Sequence, residues 1–134
     1  MTGTGISRQT SAPAQSTAGV MDRAGALSRV EGDGELMASL VDIFFIEAAA
    51  MMEAIRAAVA GSDPGKLEKA AHRLKGSVSI FCAEDATQAA LALEKIGRDG
   101  DITNAAKAFV LLERQMANLQ PALKQFRDEL QPSS

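Results

Sequence analysis

Tryptophan and tyrosine are absent from this sequence, aromatics make up 4% of it, and cysteine and histidine occur once each. A core without large rings must be built from Leu, Ile, Val, Met, Ala and five Phe, a mixture rich in good helix formers, with hydrophobic residues at 46% in all. An all-α fold is the expectation. A lone cysteine, Cys82, cannot close an internal disulfide, and the first residues lack the charged-then-apolar pattern of a secretory signal, so the expected compartment is the reducing cytoplasm. There is no long apolar run either: the stretch from Ile43 to Val59 is interrupted by Glu47, Glu53 and Arg56, which argues against a membrane span. Nor is there an excess of basic charge, since 14 Lys and Arg against 17 Asp and Glu leave a net charge of -3, which argues against a nucleic-acid partner.

What remains is a chain of 134 residues, enough for one domain with a substantial core. Residues 1–19 are rich in Ser, Thr, Gly, Ala and Gln with Ile6 as the one strongly apolar side chain, and read as a flexible tail; residues 20–130 read as the folded domain and 131–134 as a second short tail. "VMDRAGALSRV" carries Val20, Ala24, Leu27 and Val30 at helical intervals and predicts a short first helix. Asp33 can cap a second helix that runs to Gly61, with Met37, Leu40, Phe44, Met51, Ile55 and Val59 inward. Val41, Ile43, Phe45, Ile46 and Met52 fall off that stripe. Either the short first helix covers them or some stay exposed as a docking patch.

Asp63 as a cap and Pro64 at the first helical position start a third helix. A fourth is expected from about Glu84 to Ile96, with Ala86, Ala90 and Leu93 inward and "GRDGD" as its stop. A last helix begins at an Asp101 cap, and Ile102, Ala105, Phe109, Leu112, Met116, Leu119, Leu123, Phe126 and Leu130 form its heptad-like seam. Pro121 should kink or end that helix, and the continuing seam favours a kink. Four long amphipathic segments joined by short loops predict an antiparallel up-and-down four-helix bundle with a short additional N-terminal helix.

The single histidine lies in the third helix. Leu67, Ala71, Leu74, Val78 and Phe81 define its buried stripe, and His72, two residues before Leu74, is turned about 200° from it, toward solvent or a neighbouring surface. Glu68, Lys69, Lys75 and Gly76 share its face. Helical side chains lean toward the N-terminus, so a side chain at 76 would lie over His72, and glycine removes that cover at a cost of about 1 kcal/mol relative to alanine. A mostly neutral imidazole keeps a lone pair and is a competent nucleophile, and Lys75 and Lys69 can offset the charge of a phosphoryl group bound to it. The plain alternative is a solvated surface histidine.

The run "AHRLKGSVSIFCA" closely resembles the signature of histidine-containing phosphotransfer (HPt) domains, a helix bearing A-H-x-L-K-G-S with G-A some residues on. Ala71, His72, Leu74, Lys75, Gly76, Ser77 and Ala83 match as they stand, and the likeness extends over roughly Val20 to Phe126. The resemblance implies a phosphocarrier, with His72 as phosphoacceptor, Lys75 as charge partner and Gly76 as the opening for the partner's active site. It also implies that Glu94 accepts a hydrogen bond from the imidazole's other nitrogen, a solvated helix glutamate being the alternative. The implied partners are response-regulator receiver domains and a hybrid sensor histidine kinase, between whose aspartates the phosphoryl group would pass. The expectation is a monomer with no cofactor of its own, any Mg2+ being bound by the receiver. The chain departs from the pattern at Cys82, where glycine is usual, and at Ala86, where a larger aliphatic is common, so packing between the third and fourth helices is expected to differ.

Other chemistries fit poorly. No Gly-rich phosphate loop supports an ATP-dependent kinase. Cys82 lies ten residues beyond His72, about 15 Å along one helix, too far for a Cys-His pair, and one His with one Cys is too few for zinc. A helical adapter that binds a signalling partner without phosphotransfer is the competing reading.

Overall fold

A computed structural model describes residues 19–130; the expected tails at 1–19 and 131–134 lie, but for Gly19, outside the described residues. Among the described residues the structure is all-helical: α1 (Arg23–Arg29), α2 (Gly34–Ala60), α3 (Pro64–Ser79), α4 (Glu84–Asp99) and α5 (Ala105–Leu130). Three helices begin on an aspartate whose carboxylate accepts a backbone N–H of the first turn. Asp22 accepts from Gly25, Asp33 from Leu36 and Asp63 from Lys66, at 3.0 to 3.1 Å. Because Asp22 is the cap, α1 starts later than the apolar spacing suggested. Ala26 is its buried residue and Met21, just before the cap, is buried too, while Val20, Leu27 and Val30 are half-buried and Ala24 is exposed.

Each long helix packs against its neighbours in sequence, α2 on α3, α3 on α4 and α4 on α5, and α5 returns to α2. The first half of α2 meets the last turns of α5 through a bidentate pair, Arg127 Nε and a terminal nitrogen on the two Asp42 oxygens at 2.8 and 3.0 Å. The core between them holds Phe44 edge-on to Phe81, centroids 5.5 Å apart, with Leu67, Leu74, Leu93, Leu112, Leu119 and Leu123 fully buried. No described helix is long and apolar enough to cross a membrane.

On α2 the inward stripe is Met37, Val41, Phe44, Ala48, Met51, Ile55 and Ala58; Leu40 and Val59, expected inside, are only half-buried. The off-stripe apolar residues divide. Val41 is in the core, Phe45 and Met52 are half-buried beside α5, and Ile43 and Ile46 are 48% and 79% exposed. The short first helix therefore does not cover those two isoleucines.

Helix α3 ends at Ser79, so Cys82 lies in the turn that follows rather than on the helix of His72. Its φ of 51° is left-handed, the conformation a glycine takes at little cost, and its carbonyl accepts the Asp22 N–H at 3.1 Å, fastening α1 to this turn. Ala86 is buried and α3 still packs along α4. Helix α4 runs beyond Ile96 to Asp99 and stops at Gly100, which is left-handed at φ 88°. The Asp101 carboxylate does not cap α5. It accepts from Thr103 N and Oγ1 at 3.1 and 2.7 Å, a local turn that delays the helix until Ala105 and leaves Ile102 outside it. Helix α5 neither ends at Pro121 nor loses its seam there, for Leu123 and Phe126 stay buried beyond it.

Candidate functional site

The α3 stripe of Leu67, Ala71, Leu74 and Val78 is wholly buried, which turns His72 outward, its side chain 68% exposed. Across from it, α4 buries Ala90 and Leu93 and so brings Glu94 against α3, where its side chain is only 5% exposed. His72 Nδ1 lies 2.8 Å from Glu94 Oε2. Lys75 Nζ stands 2.7 Å from Glu94 Oε1, a charge pair rather than a directed hydrogen bond, since that oxygen has no well-aligned donor. Arg98 donates to Oε2 at 3.2 Å and, through Nε, to Glu68 Oε2 at 3.2 Å, one turn before His72 on α3.

The Lys75 ammonium, more than any other neighbour, holds the Glu94 carboxyl below its ordinary range, with His72 adding to the effect and burial opposing it. Glu94 is therefore an anion at neutral pH. A carboxylate can only accept, so Nδ1 carries the hydrogen and, in the neutral ring, Nε2 keeps the lone pair on the exposed side. That nitrogen is free to act as a nucleophile.

A Cβ built at Gly76 meets no atom of the described residues within 4 Å. Packing among the described residues therefore gives no reason for glycine in this helix interior, and they leave the surface next to His72 open. Lys69 stands one turn before His72 on the rim of a groove of about 650 Å3 between α2 and α3, with Met51, Ala54 and Ala58 below and Lys66 and Arg73 beside it. It takes no part in the Glu94 cluster. The structure thus brings His72, Lys75 and Glu94 together, leaves Gly76 open beside them, and puts Lys69 on the other flank.

Two residues of the cluster, Arg98 and Glu68, were given no part in the site by the sequence reading. Glu94 and Arg98 stand at i and i+4, a spacing that pairs opposite charges on a helix and could have been noticed. Glu68 reaches Arg98 across 30 positions of sequence, which no local pattern reveals. Gly97, taken as part of a stop, is buried inside α4.

Comparison with known proteins agrees with this geometry. The family model of the Hpt domain matches residues 39–131. Among solved structures, histidine-containing phosphotransfer protein B (HptB) from Pseudomonas aeruginosa PAO1 superposes with a TM-score of 0.76 over 82% of this chain and 96% of that one, at 24% sequence identity. No curated protein matches the chain. With an exposed imidazole on a helical scaffold, a family model spanning most of the sequence and a shared fold, the chain belongs to the Hpt domain family, whose members are histidine phosphocarriers of two-component phosphorelays.

Proposed function

We propose that this protein accepts a phosphoryl group on His72 Nε2 from the aspartate of one receiver domain and passes it to the aspartate of another. The observation that carries the reading is the contact of Nδ1 with the buried Glu94 carboxylate on an otherwise exposed ring, which in the neutral imidazole puts the hydrogen on Nδ1 and the lone pair on Nε2. Nε2 attacks the phosphorus of an aspartyl phosphate, the bond between phosphorus and the acyl oxygen breaks, and the aspartate leaves as a carboxylate. Nδ1 keeps its hydrogen, so the phosphorylated ring gains positive charge, which the Glu94 carboxylate stabilises at 2.8 Å. The same positive charge keeps the phosphoryl group easy to pass on.

Lys75, one turn beyond the ring, and Lys69, one turn before it, are the charge partners for the phosphoryl oxygens, with Lys75 shared between them and Glu94. Gly76 admits the receiver's active site, and any Mg2+ needed for transfer belongs to that receiver. A hybrid sensor kinase supplies the first receiver, and this chain acts as a monomer in the cytoplasm. The contact of α4's last turns with α3's first, and of α5's last with the first half of α2, supports an antiparallel up-and-down bundle as the scaffold.

Incubation with a phosphorylated receiver should label the wild type with an acid-labile, base-stable phosphate and leave His72→Gln unlabelled. Equal labelling of both removes His72 from the mechanism. A receiver that binds the wild type without labelling it would make the protein an adapter.

A further inference from the structure

One turn from the proposed phosphoacceptor, α4 lies against the backbone of α3 with no room for a side chain between them. A Cβ at Gly97 would stand 2.6 Å from the Glu68 backbone nitrogen, 2.7 Å from the Pro64 carbonyl oxygen and 2.9 Å from Glu68 Cα. Gly97 therefore lies directly on the first backbone turn of α3, at a separation no side chain allows. In this register the residue one turn earlier on α4, Glu94, falls opposite the residue one turn later on α3, His72. Just beyond Gly97, Arg98 locks the same contact, its guanidinium bridging Glu68 of α3 and Glu94 of α4 at 3.2 Å each. The planar fork of arginine suits such a bridge and a lysine would not replace it.

We propose that Gly97 and Arg98 are positioning residues for the phosphoacceptor: the missing side chain at 97 brings α4 onto α3, and the guanidinium at 98 ties the Glu94 carboxylate to that contact, so that Oε2 stays at His72 Nδ1. The proposal rests on the reading of His72 as the phosphorylated residue for its functional meaning, but the geometry it asserts can be measured without any transfer. Neither residue touches the reacting atoms. Both act through Glu94.

The chain's single histidine makes the test direct, because one pair of ring 15N resonances reports His72. At a pH where the ring is neutral, the wild type should show hydrogen on Nδ1. Gly97→Ala, which pushes α4 off α3, and Arg98→Gln, which cuts the bridge, should both shift the population toward hydrogen on Nε2, the form that a free side chain prefers in water. Phosphorylation by a receiver should slow in step, by about tenfold in Gly97→Ala, as when the outer partners of a reactive ligand are removed. Arg98 has a half-exposed side chain, so Arg98→Gln should stay folded and decides the role of Arg98 by itself, while a Gly97→Ala that does not fold would overturn a positioning role for Gly97 in favour of a purely structural one. Unchanged 15N shifts in a folded Arg98→Gln would overturn the role of Arg98. Unchanged shifts in a folded Gly97→Ala would overturn that of Gly97. A wild type with hydrogen on Nδ1 that accepts no phosphate would sink the functional reading while leaving this positioning intact.

Discussion

At the scale of single residues, Gly76 and Gly97 occupy helix interiors for opposite reasons. Each costs its helix about 1 kcal/mol relative to alanine. Gly97 is required by the chain itself, since backbone atoms of α3 fill the space a Cβ would need, whereas at Gly76 no described residue fills that space. A residue that the fold does not require, beside an exposed nucleophile, points to something outside the chain. Replacing Gly76 by Gln should therefore raise stability toward urea by about 0.5 to 1 kcal/mol, because Gln is the better helix former and meets no atom at its Cβ. The same variant should slow phosphotransfer by about tenfold or more, equivalent to roughly 1.4 kcal/mol of barrier, as its side chain lies back over His72. Transfer at the wild-type rate by a folded Gly76→Gln would show that the opening is not used.

At the scale of elements, the helices were legible where one physical signal acted alone. Asp33 and Asp63 cap the helices predicted for them, and the α3 stripe is buried as its spacing required. The misreadings fall where two signals shared a residue. Asp101 looked like a cap but is taken up by its own Thr103 turn, and "GRDGD" holds two glycines with different tasks, Gly97 for close packing and Gly100 for the left-handed stop. Local sequence cannot tell a glycine that ends a helix from one that lets another helix approach, because the difference lies in a chain segment some 30 residues away. His72, Lys75 and Gly76 could be identified because they share one face of one helix. Arg98 was legible only as an i+4 partner of Glu94, and its meeting with Glu68 was not, because that depends on how α3 and α4 pack.

Helix α5 carries a further consequence at this scale. It continues through Pro121 with Leu119 and Leu123 buried on either side, while Pro121 itself is exposed. The proline denies its helix one backbone hydrogen bond and crowds the turn before it, and burial of the surrounding seam offsets that cost. Pro121→Ala should restore the bond without disturbing the core and stabilise the protein by up to about 3 kcal/mol, read as a higher urea midpoint at unchanged slope. No gain would mean that the ring makes contacts in the folded state as favourable as the missing bond.

At the scale of the whole molecule, the Glu94 cluster is both a site and a joint, because Lys75, His72 and Glu68 belong to α3 while Glu94 and Arg98 belong to α4. Folding draws one carboxylate out of water and surrounds it with an ammonium, a guanidinium and an imidazole. The folded state therefore holds the Glu94 carboxyl below 4.5, the ordinary value it keeps when unfolded. A group whose carboxyl is depressed by folding contributes stability above its unfolded value, and that contribution disappears as pH falls through the lower, folded value. In Glu94→Gln this linkage is absent. The difference in unfolding free energy between wild type and Glu94→Gln should therefore be largest and level near neutral pH, then shrink as pH falls below about 4.5. Denaturant midpoints of the two proteins at a series of pH values measure it. Two curves that stay parallel through the acid range would mean that Glu94 gains nothing from its partners on folding, and the joint between α3 and α4 would then have to be held by apolar packing, the Gly97 contact and the Arg98–Glu68 pair.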